Sequence, residues 1–175
     1  RIGAVHSVVF AGFSAEALAQ RMAAANSAYL VTADIGKRGG KTIPLKDICD
    51  AARNKLNVES ILKTVFVWER FYQPPTGDDL ETPGFIAHPK DVRMNVLVAQ
   101  QRPYCTPEWM DAEDNLFILY TSGSTGKPKG LLHTTGGYAL YAAFTTHNSF
   151  ALQEGDLFAC VADCGWITGH TYVVY

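Results

Sequence analysis

The sequence predicts an α/β protein in which parallel strands form sheets with helices on both faces. Two observations lead to this prediction. Short apolar runs rich in β-branched residues are typical of buried strands, and they alternate with segments whose apolar residues recur every three or four positions, as on one face of a helix. A strand–helix–strand order at this spacing favours parallel pairing and coverage of both faces of the sheet.

The first half of the chain supplies most of these elements. We predict strands over residues 5–10, 29–32 and 62–68. Ser14 is placed to cap a helix that runs to Asn26, and Glu16 in its first turn is favoured by the helix dipole. A second helix is predicted over residues 46–56, with three residues on its apolar face: Ile48, Ala52 and Leu56.

The second half is less regular. Prolines and glycines punctuate residues 70–114, which we interpret as an irregular excursion containing one short helix over residues 91–101. Order returns with a strand over residues 116–119 and a helix over residues 135–144. A further strand is predicted over residues 157–162.

Composition narrows the class of protein. The 175 residues are 47% hydrophobic and carry a net charge of −2, as expected for one ordinary globular domain. No segment approaches the ~20 apolar residues of a membrane span, and no basic stripe indicates nucleic-acid binding. The four cysteines lack C-x-x-C spacing, which argues against a zinc ribbon, and we expect no metal ligand. Cys160 and Cys164 are expected to be free structural thiols in or beside a buried strand, which is compatible with a reducing, cytoplasmic setting.

A glycine- and hydroxyl-rich run follows the strand at 116–119. It comprises Thr121, Ser122, Gly123, Ser124, Thr125, Gly126 and Lys127, and Lys129 and Gly130 follow Pro128. A strand, such a loop and a helix N-terminus together form a phosphate cradle. The run lacks the G-x-x-x-x-G-K-[ST] spacing of a P-loop, so we predict phosphate binding by another loop chemistry, against the alternative of a solvated turn.

Two more loops are predicted at the same edge of the sheet. Gly12 begins the turn after the first strand, and residues 33–41 form a basic, glycine-rich loop after the second. Ligands of parallel α/β sheets bind beyond the carboxyl ends of the strands. The three loops therefore predict one composite site.

Several segments together resemble the adenylate-forming enzymes, and acetyl-CoA synthetases in particular. They are residues 1–10, Arg38-Gly39-Gly40-Lys41 and residues 113–120, 121–130 and 163–170, in this order along the chain. The resemblance implies that acetate attacks the α-phosphorus of ATP, giving an acetyl-adenylate and pyrophosphate. The thiol of coenzyme A then displaces AMP. The attacking carboxylate is already an anion and needs no general base.

The resemblance also assigns roles residue by residue. Thr121 and Lys129 are implied to be catalytic, and the run from Thr121 to Lys127 would contact the phosphates of ATP with Mg²⁺. The implied coenzyme A contacts are Gly12, Arg38, Gly39, Gly40, Lys41 and Thr168. The implied acyl pocket is formed by Trp166, Ile167 and Thr168. Lys41 and Ala11 depart from the residues usual in the family, arginine and glycine, and residues 73–104 match poorly.

Several alternatives stay open. The acid is acetate, or propionate or another short acid, since shape rejects one methylene by only ~1–3 kcal/mol. Both ends look cut, so we expect a piece of the large N-terminal domain of a longer protein. The isolated chain could then be a non-catalytic nucleotide- or coenzyme-A-binding piece. Trp166 is either a core aromatic or a pocket residue, whereas His6, His133 and His170 are expected to be structural.

Overall fold

The structure, a computed structural model, describes residues 2–71, 88–121 and 128–175. The chain divides into two compact units. We call Ala11–Pro103 the sheet unit, and Arg1–Phe10 with Tyr104–Tyr175 the hairpin unit. Each unit is described by itself.

The sheet unit contains a parallel sheet and its connecting helices. Its elements are α1 (Ala15–Ala25), β1 (Tyr29–Ala33), β2 (Gly36–Arg38), β3 (Lys41–Ile43), α2 (Leu45–Arg53), α3 (Val58–Ile61), β4 (Thr64–Trp68), β5 (Asp91–Arg93) and α4 (Met94–Ala99). The sheet has the order β1-β4-β5, and both pairings are parallel. The mixed α/β class and its parallel sheet are therefore confirmed.

Helix α1 begins and ends where its capping residues predict. The Ser14 hydroxyl accepts a hydrogen bond from the Ala17 N–H at 3.2 Å, which satisfies one of the free donors of the first turn. Asn26 closes the helix in the left-handed conformation, with φ 49°. The helix buries Leu18, Ala19 and Met22.

Helix α2 is shorter than predicted and buries a different face. It ends at Arg53, and positive φ values at Leu56 and Asn57 turn the chain into α3. The side chain of Leu56, predicted to be buried, is 52% exposed. The buried residues of α2 are instead Lys46, Cys49, Ala52 and Arg53.

The hairpin unit is built around two antiparallel strands. Its elements are β6 (Asn115–Thr121), β7 (Lys129–Thr134), α5 (Thr135–Phe150), α6 (Ile167–Gly169) and a π-helical turn (His170–Val174). Strands β6 and β7 pair from Asn115↔Thr134 to Thr121↔Lys129. Phe117 and Leu119 point into a core that they share with Tyr138 of α5.

Two predicted strands are wrong. Residues 5–10 form a single parallel bridge, His6↔Phe117, and most of their side chains are half-buried rather than buried. Residues 157–162 pair with no strand in the described part of the chain, and Leu157 and Val161 are almost fully exposed. Both runs have the composition of buried strands, but a strand also needs a neighbour to accept its backbone hydrogen bonds.

Two further elements differ from the predictions. The segment predicted as one helix over 91–101 begins as β5 and becomes helical only in α4. Strand β7 stands between the loop after β6 and α5, so the loop leads into a strand rather than into a helix N-terminus. The start of α5 is as predicted, but the helix continues to Phe150.

Candidate functional site

The predicted catalytic residues Thr121 and Lys129 lie side by side at the open end of the β6–β7 hairpin. They form the last pair of the ladder, and the Thr121 hydroxyl donates to the Lys129 carbonyl oxygen over 3.5 Å. Both side chains are exposed. The connecting residues Ser122, Gly123, Ser124, Thr125, Gly126 and Lys127 lie outside the described residues, so their predicted phosphate contacts remain predictions. The cradle predicted from a helix N-terminus is wrong, because a strand follows the loop.

Gly130 has a packing role in this hairpin. A Cβ atom at this position would lie 2.9 Å from Cγ2 of Ile118 and 3.1 Å from the ring of Tyr120, with which Gly130 is paired across the ladder. Glycine therefore lets the Tyr120 ring lie across β7. Gly130 therefore serves the packing of the hairpin rather than the close approach of an anion.

The segment from Asp163 to His170 folds into a turn held by its own hydrogen bonds. The Asp163 carboxylate accepts from the Gly165 N–H at 2.7 Å, and the Asp163 carbonyl oxygen accepts from the Trp166 N–H at 2.9 Å. A Cβ atom on Gly169 would lie only 2.2 Å from the same carbonyl oxygen. The φ of Gly169 is an ordinary −65°, so its backbone conformation does not require glycine. The close contact with the Asp163 backbone does.

Trp166, Ile167 and Thr168, the three residues predicted for the acyl pocket, lie on the exposed side of this segment. We call residues 166–168 the presenting turn. The exposed fractions of Trp166 and Ile167 are 66% and 39%, whereas Gly169 and His170 behind them are buried. Trp166 is therefore not a core aromatic, and its role in the acyl pocket stays a prediction.

A cavity of about 490 Å³ lies beside the presenting turn. It is lined by Leu132, His133, Thr134, Gly137, Tyr138, Tyr141 and Ile167. Among the described residues of this lining, Ile167 is the only predicted site residue, and none is a lysine, an arginine or a carboxylate. Sequence reasoning did not identify the cavity, because β7 itself was not predicted.

Three histidines surround Phe117 in the core of the hairpin unit. The Nε2 atoms of His6 and His170 are 3.0 Å apart, and Nδ1 of His170 lies 2.5 Å from the Cys164 carbonyl oxygen. Burial, together with His170, lowers the pKa of His6 and the pKa of His133 below the usual histidine value. The three rings pack against Phe117, as expected for histidines with a structural role.

The predicted coenzyme A loop is a β-hairpin. Gly39 and Gly40, with φ of 54° and 77°, form its two-residue turn between β2 and β3, as glycine pairs do in type I′ hairpins. Arg38 and Lys41 face each other across this turn. A Cβ atom on either glycine would meet no atom within 4 Å among the described residues, so a ligand has room to approach the backbone.

Gly12 lies against the same hairpin. Its φ of 94° is a conformation that favours glycine, and a Cβ atom there would lie 3.6 Å from the Ile43 side chain of β3. The structure thus brings together Gly12, the glycine turn and the two basic residues beside it, within the sheet unit. Thr168, the remaining predicted coenzyme A contact, belongs to the hairpin unit, and its participation stays a prediction.

A buried ion network joins α2 to β5, and sequence reasoning missed it. The Asp91 carboxylate, with its side chain 1% exposed, pairs with Lys46 at 2.9 Å and with Arg53. Lys46 also pairs with Asp50 at 2.6 Å. Burial disfavours the charged form of each group, but the opposite charges prevail: they raise the pKa of Lys46 and, with the His88 N–H, lower the pKa of Asp91.

The described residues add three further facts. Among them, no three histidine, cysteine or carboxylate side chains group closely enough to hold a metal ion. No described helix combines the length and the apolar character needed to cross a membrane. All four cysteines are free, and burial raises the pKa of Cys49 to about 12, so that this thiol is inert at neutral pH.

Comparison with known proteins gives consistent relatives. A family model described as AMP-binding enzyme matches residues 1–175. The chain is 52% identical over 175 residues to an acetyl-coenzyme A synthetase of Photobacterium profundum and 53% identical over 176 residues to one of Coprinopsis cinerea. Each match covers 100% of this chain and 25% of the relative. The chain therefore spans about a quarter of the length of these curated relatives.

A solved structure supports the fold. An acetoacetyl-CoA synthetase from Streptomyces lividans superposes with a TM-score of 0.72 over 92% of this chain and 22% of its own. The sequence identity is 22%, so this likeness concerns the fold alone.

Proposed function

The chain belongs to the family of AMP-binding enzymes, and from that premise we propose that the protein containing it is an ATP-dependent acetate–CoA ligase. The supporting observation is the identity of 50% or more, over the whole chain, to acetyl-coenzyme A synthetases from bacteria, a fungus and Drosophila melanogaster. The chain would be part of the AMP-binding domain of that longer protein, and residues 70–114 would be an excursion within it.

The proposed reaction has two steps. A carboxylate oxygen of acetate bonds to the α-phosphorus of ATP, and the bond to the bridging oxygen breaks, so that pyrophosphate leaves. The thiolate of coenzyme A then bonds to the acyl carbon, and AMP leaves. Neither step requires a nucleophile from the protein. Its residues have to hold polyphosphate, align the carboxylate and stabilise the developing negative charge.

The end of the β6–β7 hairpin would bind the phosphates. Thr121 and Lys129 are adjacent across the ladder, so a hydroxyl and an ammonium group would approach one phosphate chain from neighbouring backbone positions. The loop Ser122–Lys127 would supply the remaining hydroxyls and backbone N–H groups. Mg²⁺ would enter already bound to ATP, because the described residues offer no carboxylate cluster of their own, and Mg²⁺ commonly binds through substrate phosphates.

The β2–β3 hairpin would bind the nucleotide end of coenzyme A. Arg38 and Lys41 place two positive side chains on either side of the Gly39–Gly40 turn, which suits phosphate groups. Gly12, packed beside β3, would line the path of the cofactor. Lys41 would act as a point charge, without the bidentate geometry of arginine.

The presenting turn would contact the acyl group and the thiol. Trp166, Ile167 and Thr168 are exposed on a backbone that is fixed by Asp163 and Gly169, so they offer a rigid wall to a small acid. A second substrate, propionate or another short acid, stays an alternative, because shape rejects one extra methylene by only ~1–3 kcal/mol.

Product analysis tests the proposal. The full-length protein should convert acetate, ATP and coenzyme A into acetyl-CoA, AMP and pyrophosphate, which mass spectrometry distinguishes from ADP and phosphate. ADP as the product would contradict the adenylate route. Acyl-CoA formed only from longer acids would move the substrate but keep the chemistry. The isolated 175 residues should give no product.

A further inference from the structure

His6 and His170 form a hydrogen bond between two imidazole rings. A carbonyl oxygen only accepts, so the contact of 2.5 Å with the Cys164 oxygen places a proton on Nδ1 of His170. Nε2 of His6 lies 3.0 Å from Nε2 of His170, so the two rings share a hydrogen bond in which one nitrogen carries the proton and the other accepts it. This bond joins residues 164 positions apart in sequence.

Each ring is anchored to a different part of the proposed active site. The His6 carbonyl oxygen accepts from the Ile118 N–H at 2.9 Å, which ties it to β6, the strand that ends at Thr121. The His170 N–H donates to the Trp166 carbonyl oxygen at 3.0 Å, which ties it to the presenting turn. The pair thus connects the strand of the phosphate loop to the turn that carries the acyl-pocket residues.

The environment makes this hydrogen bond expensive to lose. His170 is 0% exposed, and the Phe117 ring packs against both imidazoles, with centroid distances of 5.6 Å to His6 and 4.5 Å to His170. Because His170 is 0% exposed, water has no access to its Nε2 atom. A buried polar atom that loses its hydrogen-bond partner incurs the full cost of its desolvation. The presenting turn would then relax toward another arrangement.

We propose that His6 and His170 are positioning residues that set the place of the presenting turn relative to the phosphate-binding strand. Their hydrogen bond determines how closely Trp166 and Ile167 confine the acyl group, and through it the preference for acetate over propionate. This inference rests on the proposed function, since the confined group is the acid of that reaction. Neither histidine contacts a substrate.

Two matched substitutions in the full-length protein separate positioning from packing. His6→Gln keeps a hydrogen-bonding amide near the position of Nε2 but loses the aromatic ring, whereas His6→Phe keeps a ring of similar size but loses the hydrogen-bonding group. The readout is the ratio of kcat/KM for propionate to that for acetate. This ratio does not depend on the fraction of correctly folded enzyme, so partial unfolding of a variant leaves the measurement valid.

We expect His6→Phe to raise the ratio about tenfold, the lower end of what one methylene is worth in a pocket, and His6→Gln to stay near the wild-type ratio. The reverse order, with Phe tolerated and Gln not, would show that the ring only fills space. Equal ratios in an active wild-type enzyme and in both variants would also overturn the positioning role.

A second readout does not depend on activity. Hydrogen–deuterium exchange of the amides of residues 163–170 should become faster in His6→Phe and remain slow in His6→Gln. Unchanged exchange in His6→Phe would overturn the inference even if the enzyme were active on acetate. A wild-type protein with no activity on any acid would overturn the proposed function, while the exchange data would still decide whether the pair holds the turn.

Discussion

Gly169→Ala is the sharpest test of how the presenting turn is built. The added methyl would lie 2.2 Å from the Asp163 carbonyl oxygen, 2.5 Å from the Asp163 carbonyl carbon and 2.9 Å from the Ala162 oxygen. All three atoms belong to the backbone, so no side chain can rotate away. Restoring an ordinary contact of 3.4 Å requires the turn and residues 162–163 to separate by more than about 1 Å.

The expected cost follows from this displacement. Overpacking of this kind destabilises proteins by ~1–3 kcal/mol, and the usual gain of ~1 kcal/mol from replacing a helical glycine by alanine offsets only part of it. A misplacement of about 1 Å at a substrate-contacting wall reduces turnover by about a hundredfold. We therefore expect lower thermal stability and a large loss of acetate-dependent adenylation in the full-length protein.

Gly36→Ala is the matched control, assayed by thermal unfolding and by ATP–pyrophosphate exchange without coenzyme A. Its tightest contact would be with the end of the Leu45 side chain, at 3.3 Å, which can move, and the contacts with Leu45 Cγ at 3.7 Å and Ile43 Cβ at 3.8 Å are ordinary. We expect adenylation close to wild type and a stability change below ~1 kcal/mol. If Gly169→Ala behaved like this control, the backbone contact between Gly169 and Asp163 would not be what fixes the turn.

Three other substitutions test the remaining sites. Lys129→Ala should slow acetate-dependent exchange by about ten- to a hundredfold, and a normal rate would remove it from the phosphate site. Arg38→Ala should raise the KM for coenzyme A about tenfold with exchange intact, and an equal loss of exchange would refute the division into two sites. Asp91→Asn should destabilise the protein by ~3–5 kcal/mol at pH 7, because it removes the buried carboxylate that Lys46 and Arg53 share, although the half-exposed Asp50 remains near both. The pKa of Asp91 is lowered in the folded state, so its carboxylate stabilises the fold above pH ~4, and this stabilisation is lost as the pH falls through the folded-state pKa. The thermal unfolding temperature of Asp91→Asn should therefore change less with pH in the acid range than that of the wild type.

Local rules predicted the elements whose signals are complete within the chain. Helix α1 has both caps and an apolar face in its own sequence, and β1 and β4 are apolar runs that pair in parallel, with Val65 and Val67 of β4 buried. The hairpin of β2 and β3 carried a recognisable signal, the Gly39-Gly40 pair. We nevertheless predicted a basic, glycine-rich loop over residues 33–41.

Other elements depend on partners that sequence patterns do not reveal. Strand β5 has three residues, two of them charged, and its burial comes from ion pairs with α2 rather than from apolar packing. Strand β7 exposes both Leu131 and Leu132, at 52% each, so it lacks the period-two burial that identifies a strand. Leu157 is the opposite case: it is apolar and was predicted to lie in a strand, yet its side chain is 99% exposed.

The candidate site, like the fold, could be predicted from the sequence only in part. The residues of the presenting turn were identified from the resemblance to a family, and the structure added why they are exposed: a hydrogen-bonded turn closed by Gly169. The pairing of Thr121 with Lys129 and the contact between His6 and His170 join residues far apart in the chain. No spacing rule could have found either of them.

ATP–pyrophosphate exchange by the full-length protein, without coenzyme A, tests the central claim most directly. Acetate, propionate and butyrate would be compared at equal concentrations, with labelled pyrophosphate as the probe. The account predicts exchange that requires an acid, is strongest with acetate and falls with chain length. Folded protein that binds ATP but catalyses no exchange with any of the three acids would contradict it.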